Sequence, residues 1–351
     1  MFKFSQHRSV LLWLSTGAFL IYTMVLVGGL TRLTHSGLSI TDWSVMGTIP
    51  PLNQEQWNQR FLEYQKSPEF LKVNASMTVD AFKSIFWWEY IHRMIGRLLG
   101  YVFIIGAIIL FIRRRIQAFM YPGLLLLFLL GALQGLIGWW MVYSGLISKP
   151  AVSHYRLATH FISALTLFSA LLFIILKWKH NFKIKWHPLF KTHVFFMCML
   201  LMQLIWGAFT AGYVSGNAAK IRPGHIFNTW PKMGEQWIAD QVFEQPSLIT
   251  NLFENASGIQ FVHRCMAFVL ALLILFLAWR STKFNCNIYQ KQGITALLYA
   301  LTIQIMLGIF TLLYQVPMVL AALHQTTAFV LVGISVYLLY HFMYGAEAER
   351  K

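Results

Sequence analysis

Four histidines of this chain lie in long apolar segments or at their mouths, where lipid makes a polar side chain costly unless it has a partner or a function. His92 and His263 each open an apolar segment, and His160 and His324 lie inside later ones. Two imidazoles that face each other in a four-helix bundle can hold a haem iron from both sides. The sequence therefore predicts two haem pockets, one formed by His92 and His160 and the other by His263 and His324.

An arginine directly follows the first histidine of each pair, as Arg93 and as Arg264. A haem near the membrane surface exposes its propionates, and the rigid fork of arginine suits a carboxylate. We expect both arginines to bind propionates. The alternative is that they lie at the membrane interface with their charged heads in water.

The two histidine pairs differ in the residue beside them. Glu89 lies three residues before His92 on the same helical face, whereas Gln260 takes the matching position before His263. A carboxyl group beside a metal can move protons or stabilise a cation. This difference predicts catalysis at the first pair, with Glu89 and both histidines as catalytic residues, and plain electron transfer at the second. The alternative is an interfacial Glu89 paired with Arg93.

The composition predicts a protein that crosses a membrane many times. Hydrophobic residues make up 57% and charged residues 11% of the 351 residues, and the mean hydropathy is +0.57. Soluble proteins carry about 25% charged residues. The net charge of +16 follows the membrane loops, so it does not call for a nucleic-acid partner.

Eight segments are long enough to span about 30 Å of hydrocarbon. They lie at residues 10–30, 91–112, 119–142, 156–176, 189–212, 259–279, 292–314 and 319–342. Basic residues dominate the loops on one side, and ten of the twelve acids lie in or next to loops 33–90 and 213–258 on the other. By the positive-inside rule both termini are cytoplasmic and the two long loops extracytoplasmic. These loops either cap a site or are plain solvated connections. Because no Arg- and Ser-rich transit peptide is visible, we expect a bacterial inner membrane.

The second half of the sequence repeats the first, so that Gln134 of one apolar segment recurs as Gln304 of another. A repeat with an even number of crossings gives parallel copies related by a pseudo-two-fold axis along the membrane normal. The predicted fold is all-α, with eight transmembrane helices in two pseudo-symmetric four-helix bundles at residues 1–180 and 181–351.

Several glycines and the outlying histidines receive simpler interpretations. Gly131, Gly135 and Gly138 are spaced to permit close contact between helices. The histidines in loops and at helix ends are expected to be mostly solvated; they are His35, His180, His187, His193, His225 and His341.

Over almost its whole length the chain resembles the haem A synthase family. The resemblance rests on residues 28–34 and 36–39, on Glu89 with His92 and Arg93, on His160, on His263 with Arg264, and on His324. It implies an oxidoreductase that converts a methyl group of haem O to a formyl group by two hydroxylations and loss of water, giving haem A for terminal oxidase assembly. It also implies haem b at His263 and His324, haem O at His92 and His160, and Glu89 as an essential acid. With no cysteine in residues 33–90, the chain is similar to the subgroup without the loop cysteine pair, which includes the mitochondrial enzyme.

The resemblance further implies that a haem O synthase supplies the substrate, because haem O is too apolar to diffuse freely in water. The sequence leaves open the electron-transfer partner, the oxygen source and whether the protein forms homo-oligomers. Two other functions stay open: a di-haem b electron-transfer protein and a haem carrier. Neither has an evident need for the difference between Glu89 and Gln260.

Overall fold

In the computed structural model the described residues are 3–42, 44, 47, 49–147, 152–180, 182–217 and 224–345, so parts of both long loops lie outside them. These residues form eleven α-helices: α1 Lys3–Leu33, α2 Gln54–Gln65, α3 Pro68–Lys72, α4 Val79–Ile112, α5 Tyr121–Ile147, α6 His154–Lys179, α7 Phe190–Asn217, α8 Leu248–Glu254, α9 Ala256–Ser281, α10 Ile288–Leu313 and α11 Met318–Met343. Eight of them (α1, α4, α5, α6, α7, α9, α10 and α11) are long and apolar enough to cross a membrane. The eight predicted spans and the all-α fold class are therefore confirmed.

The eight long helices pack in matching patterns in the two halves. In the first half α1 packs against α4 and α6, and α5 packs against α6; in the second, α7 packs against α9 and α11, and α10 packs against α11. The halves meet through α1, α6, α7 and α11. Phe168 of α6 and Phe329 of α11 touch across this interface, with ring centroids 5.4 Å apart. The arrangement is consistent with the predicted repeat.

The first long loop is folded over one end of the bundle. Its helix α2 packs on α4 and its helix α3 on α5; we call α2 and α3 together the lid. The side chain of Asn53 caps the start of α2, and Ser67 with Pro68 starts α3. Buried aromatic rings hold the lid on α4, among them Trp57 and Phe86, whose centroids are 5.0 Å apart. A plain solvated connection does not describe this loop.

The second long loop also packs on the bundle. A 3-10 turn at Asp240–Phe243 and helix α8 both contact α9. At the opposite end of the molecule, two short strands, Lys183–Ile184 and Tyr344–Gly345, pair antiparallel. Both ends of the helical bundle are thus partly covered by folded connections.

Two histidines expected to be solvated are instead fully buried, so the expectation is wrong for His193 and His341. Both lie at the end of the bundle where the two strands pair. The Nε2 atom of His193 lies 2.8 Å from the backbone oxygen of Ser335, and His341 packs between Tyr289 and Tyr337. Packing against aromatic rings and a backbone acceptor allows these imidazoles to leave water.

The glycines of α5 also depart from expectation. A Cβ atom added at Gly138 would lie 2.9 Å from the ring of His160, which is a close helix contact as predicted. The same test at Gly131 and Gly135 finds no atom within 4 Å. The predicted close packing is therefore wrong for these two residues, because α5 meets no neighbouring helix along that part of its surface.

Candidate functional site

Each of the four predicted site histidines lies against a glycine of a neighbouring helix. The pairs, with the distance from a Cβ added at the glycine to Cε1 of the imidazole, are Gly28 and His92 at 2.9 Å, Gly138 and His160 at 2.9 Å, Gly207 and His263 at 3.0 Å, and Gly308 and His324 at 2.8 Å. A larger side chain at any of these glycines would displace the ring. The four rings are thus held by one device that recurs in both halves.

A glutamine orients the second histidine of each pair. The Nε2 atom of Gln134 lies 3.2 Å from Nδ1 of His160, and Nε2 of Gln304 lies 3.2 Å from Nδ1 of His324. Nδ1 of His324 is also 3.1 Å from the backbone oxygen of Gln304, to which it can donate. The bond that Nδ1 of His324 can donate to this carbonyl fixes the ring and leaves Nε2 for a metal, as is usual for histidine ligands. At His160 the amide of Gln134 is the donor, so this contact positions the ring.

The first histidine of each pair has no such partner. The Nδ1 atom of His92 is buried without a hydrogen bond to any described residue, and His263 interacts with the backbone of Gln203. His92 interacts electrostatically with His160, and His263 with His324, so each predicted pair shares one environment. Among the described residues no group of three or more His, Cys, Asp or Glu is arranged to hold a metal ion. Two imidazoles per pocket suit a haem iron, whose remaining ligands are the porphyrin nitrogens.

The carboxylate of Glu89 is buried and binds four donors. Its Oε2 accepts from the hydroxyl of Ser39 at 2.7 Å and from the backbone N–H of Ile40 at 2.9 Å. Its Oε1 accepts from Nε and Nη2 of Arg93 at 3.1 and 2.6 Å. The pairing of Glu89 with Arg93 that the sequence left open is therefore present. These four hydrogen bonds, two of them from the charged guanidinium of Arg93, hold the carboxyl group of Glu89 in a fixed position.

Gln260 uses its amide in a matching way. Its Oε1 accepts from the backbone N–H of Phe227 at 3.0 Å, and its Nε2 donates to the backbone oxygen of Phe227 at 2.9 Å. Glu89 and Gln260 thus both tie a loop residue to the helix that carries the first histidine. The difference between the halves is one of charge at positions that share a structural task.

Both predicted propionate-binding arginines hold loop backbone in this structure. Arg93 donates to the carbonyl oxygens of Asp42 at 2.8 Å and Ile40 at 2.9 Å. Arg264 donates to the carbonyl oxygens of Phe227 at 2.8 Å and Lys232 at 3.1 Å. These contacts give the two arginines a role in fixing the outer loops over the histidine pockets; their binding of propionates stays a prediction.

Sequence reasoning missed the direct contact of Ser39 with Glu89 and a second buried acid, Glu69, in the lid. The hydroxyl of Tyr64 donates to Glu69 at 3.0 Å and accepts from the amide of Asn74 at 2.8 Å. Burial raises the pKa of Glu69 from its ordinary value of 4.5 to about 7; the bond from Tyr64 opposes the rise, and the negative charge of Glu89 adds to it. The contact of Ser39 with Glu89 could not be identified from position alone, because the two residues are 50 positions apart. Glu69 has a partner only five positions away, but the sequence does not show that this pair is buried.

Comparison with known proteins places these features in a family. Residues 11–336 match the family described as cytochrome oxidase assembly protein. The chain is 40% identical to a haem A synthase of Flavobacterium johnsoniae, over 95% of this chain and 98% of the relative. It is 38% identical to the haem A synthases of Parvibaculum lavamentivorans and of Wolbachia pipientis, over 95% and 96% of this chain and 94% and 93% of those relatives.

Proposed function

This chain belongs to the family of cytochrome oxidase assembly proteins, and on that basis we propose that it is a haem A synthase, an oxidoreductase that converts a methyl group of haem O to a formyl group. The oxidation proceeds by two successive hydroxylations of the methyl carbon, and loss of water then leaves the aldehyde. The observation that carries the proposal is the repeated histidine pocket with a buried carboxylate beside only one copy.

The two pockets have different tasks in this proposal. His263 and His324 hold haem b, which supplies one-electron chemistry when bound. His92 and His160 hold the iron of the substrate, haem O. The bond that Nδ1 of His324 can donate to the backbone oxygen of Gln304 supports haem b at the second pocket, because it leaves Nε2 of His324 available. Gln134 positions the ring of His160 in the first pocket.

Glu89 is the proposed catalytic carboxylate of the substrate pocket. Its carboxylate is held in a fixed position by Ser39, Ile40 and Arg93 and is shielded from water. A fixed negative charge next to the reacting carbon stabilises a cation that develops there, and the same group can accept a proton from the bound substrate. Gln260 cannot do either, which suits a pocket whose haem is retained.

The setting of the enzyme follows from its substrate and its charge distribution. We place it in a bacterial inner membrane with both termini in the cytoplasm and the lid outside. A haem O synthase supplies the substrate, and a separate redox partner exchanges electrons with haem b. A green fluorescent protein fused to the C-terminus tests the topology: it fluoresces if that end is cytoplasmic, and an alkaline phosphatase fusion active at the same position would contradict the assignment.

The proposal is tested by exchanging the distinguishing residues. Co-expression with a haem O synthase, in a host that makes no haem A, is followed by reverse-phase separation of the extracted haems with mass detection. The wild-type chain is expected to give haem A. Glu89→Gln copies the other half and can keep the bond from Ile40, yet should lower the haem A yield about a hundredfold or more.

The reciprocal variant Gln260→Glu is the matched control and should keep most of the haem A yield, because it alters only the retained pocket. The haem b content of each purified protein reports whether it is folded. Undiminished haem A from Glu89→Gln would remove the acid from the mechanism. Haem O and haem B alone from folded wild-type protein, with reductant and oxygen supplied, would contradict the proposed activity.

A further inference from the structure

A groove on the membrane-facing surface runs along α11 between α10 and α1; we call it the α10–α11 groove. Its lining includes Tyr22, Phe168, Ala296, Phe329, Gly333 and Tyr337. Its volume of about 450 Å³ is in the range of small-molecule sites. Ala296 and Val330 at its edge are exposed, and α10 and α11 are both long and apolar enough to cross a membrane. The groove therefore opens towards the hydrocarbon of the bilayer.

Polar side chains collect at one end of this groove, the end of the bundle where the two short strands pair. On α10, Tyr289 lies one turn before the lining residue Gln292, and on α11, His341 lies one turn after Tyr337. The ring of His341 stacks on that of Tyr289, with centroids 4.8 Å apart, and its centroid is 4.4 Å from that of Tyr337. The groove thus runs from apolar side chains to two hydroxyl groups, a carboxamide and an imidazole.

The imidazole at this end has no partner of its own. Both ring nitrogens of His341 are buried without a hydrogen bond to any described residue, and the residue is 0% exposed. His193, at the same end of the bundle, has the backbone oxygen of Ser335 at 2.8 Å from its Nε2. A buried polar group without a partner costs free energy and calls for an explanation. Because Tyr337 both lines the groove and contacts His341, a rotation of its side chain brings the imidazole into contact with the groove.

The internal repeat confines these hydroxyl groups to one half of the molecule. The alignment that matches the orienting glutamines and the site histidines of the two halves pairs Tyr289 with Phe119 and Tyr337 with Phe173. Phenylalanine has no hydroxyl group with which to bind a polar ligand. The polar end of the groove therefore belongs to the half that holds haem b in the proposed function.

We propose that the α10–α11 groove binds a lipid-soluble quinol, with its ring at Tyr337 and His341 and its apolar tail along Ala296 and Phe329. This inference rests on the proposed function, which requires a redox partner for haem b, and it names the chemical class of that partner. A quinol ring has two hydroxyl groups, which can donate to an imidazole nitrogen and exchange hydrogen bonds with a tyrosine. None of the described residues that line the groove is charged, which does not suit the phosphate of a phospholipid.

Helix α11 connects the groove to the haem b pocket. It carries His324, and at about 1.5 Å per residue Phe329 lies about 7 Å and Tyr337 about 20 Å further along the helix axis. A bound quinol gives up two electrons and two protons and becomes the quinone. The electrons reduce the ferric iron of haem b one at a time, and the iron returns to the ferric state between them by passing the first electron to the substrate pocket. The protons are released at the polar end, where His341 can accept one from a quinol hydroxyl.

Photolabelling tests the binding without reference to turnover. Purified protein that carries haem b is illuminated with a benzoquinone that bears an azide on the ring and a decyl tail, and the labelled peptides are identified by mass spectrometry. We expect label within residues 288–296 or 329–343. An excess of decylubiquinone should prevent it, and an excess of phosphatidylglycerol should not. Label elsewhere in the chain, or equal protection by the phospholipid, would overturn the quinol site.

A variant that fills the groove gives the second part of this test. Ala296→Trp places an indole at the exposed edge and should lower the labelling at least about tenfold, because denying burial to two CH₂ groups of the tail already costs that much in affinity. Thr295→Trp adds the same side chain at an exposed neighbouring position that does not line the groove and should leave the labelling unchanged. Full labelling of the Ala296→Trp protein would contradict the position of the tail.

The electron link is tested by anaerobic reduction of haem b, followed by its absorption spectrum. Decylubiquinol should reduce the haem b of the wild-type chain. Tyr337→Phe copies the first half and should slow this reduction about three- to tenfold through the loss of one hydrogen bond. Dithionite needs no binding site and should reduce haem b equally in both proteins, which shows that the haem pocket is intact. Equal rates with decylubiquinol, or no reduction by it of a wild-type protein that dithionite reduces, would overturn the proposal.

These measurements separate the quinol site from the proposed activity, because neither of them requires haem O. A protein that is labelled in the groove and whose haem b is reduced by decylubiquinol, but that forms no haem A, would keep the quinol site and contradict the proposed activity. Formation of haem A by a protein that the azidoquinone does not label in the groove would do the reverse.

Discussion

Glycine is required in this protein where a histidine ring must lie directly on a neighbouring helix. Only glycine fits at position 308, because a Cβ atom there would lie 2.8 Å from the ring of His324. Interiors are packed too densely for such a clash to relax without moving the ring. The glycine therefore acts on the histidine as a positioning residue.

Replacing that glycine should release the haem of one half only. We expect the Gly308→Leu protein to lose most of its haem b, because the added side chain displaces the ring of His324. Thr302→Leu, at an exposed position of α10, should retain it. The pyridine haemochrome spectrum of purified protein gives the content; full haem b in Gly308→Leu would show that this ring tolerates displacement or is not a ligand.

Glu69 gives the lid a pH dependence of predictable sign. Its pKa is raised from 4.5 to about 7 on folding, so the folded lid holds a proton that the unfolded lid releases. Below about pH 4.5 both forms are protonated and the effect vanishes. As the pH rises from 4.5 to about 7, the free energy of unfolding of the lid falls. Above about pH 7 it falls no further, because Glu69 is then ionised in both forms.

Hydrogen exchange of residues 54–77 measures this effect directly. Exchange in the wild-type lid should increase between pH 5 and pH 8 by more than the intrinsic exchange rate does. Glu69→Gln should remove this excess because an amide does not ionise, and it should keep the lid folded because the amide oxygen can still accept the bond from Tyr64. Glu63→Gln, an exposed acid on the same lid, is the control and should keep it. An identical pH response in Glu69→Gln and wild type would contradict the raised pKa.

At the level of elements, the long helices could be predicted from the sequence and the lid could not. Eight apolar runs of sufficient length leave few alternatives in a bilayer, since each must satisfy its own backbone hydrogen bonds. The lid helices are short and polar, and their stability comes from aromatic contacts with α4 that are distant in sequence. Local signals were nevertheless present in Asn53, in Ser67 with Pro68, and in the spacing of Trp57, Phe61 and Tyr64.

The lid should detach if its aromatic contact with α4 is removed. Trp57 is 8% exposed and packs edge-on against Phe82 and Phe86, so Trp57→Ala is expected to destabilise the lid by about 3–5 kcal/mol. Trp237 of the second loop is 67% exposed, and Trp237→Ala serves as the control. Limited proteolysis from the outer face should cut the Trp57→Ala lid first; equal resistance of both variants would contradict the proposed packing.

The candidate site was predictable to the extent that it repeats. The four histidines and the contrast between Glu89 and Gln260 are visible because each has a counterpart in the other half. What the sequence could not supply is which loop atoms these residues bind. Arg93 and Arg264 are predicted to bind propionates, and in the structure they donate hydrogen bonds to backbone oxygens of the outer loops. Which oxygens they reach depends on the path by which each loop returns to its helix.

At the level of the whole molecule, we propose that two copies of one bundle have different tasks. Both copies have a glycine against each histidine ring and a glutamine that positions the second histidine. In both, the residue three positions before the first histidine is hydrogen-bonded to the backbone of the outer loop. They differ in the charge beside the first histidine, and in that α9 packs against α10 whereas α4 and α5 make no extended contact in the described part of the chain. A neutral pocket suits a retained cofactor, and a pocket with a carboxylate suits a substrate that reacts there.

The division of tasks is tested most directly by the haems that remain when one pocket at a time is disabled. His160→Ala and His324→Ala proteins, each co-expressed with a haem O synthase, are purified, and their bound haems are extracted and identified. We predict that His160→Ala retains haem B and carries no haem O or haem A, and that His324→Ala loses haem B but still carries haem O. Loss of haem B alone from both variants would contradict the account, because it would make the two pockets equivalent haem b sites.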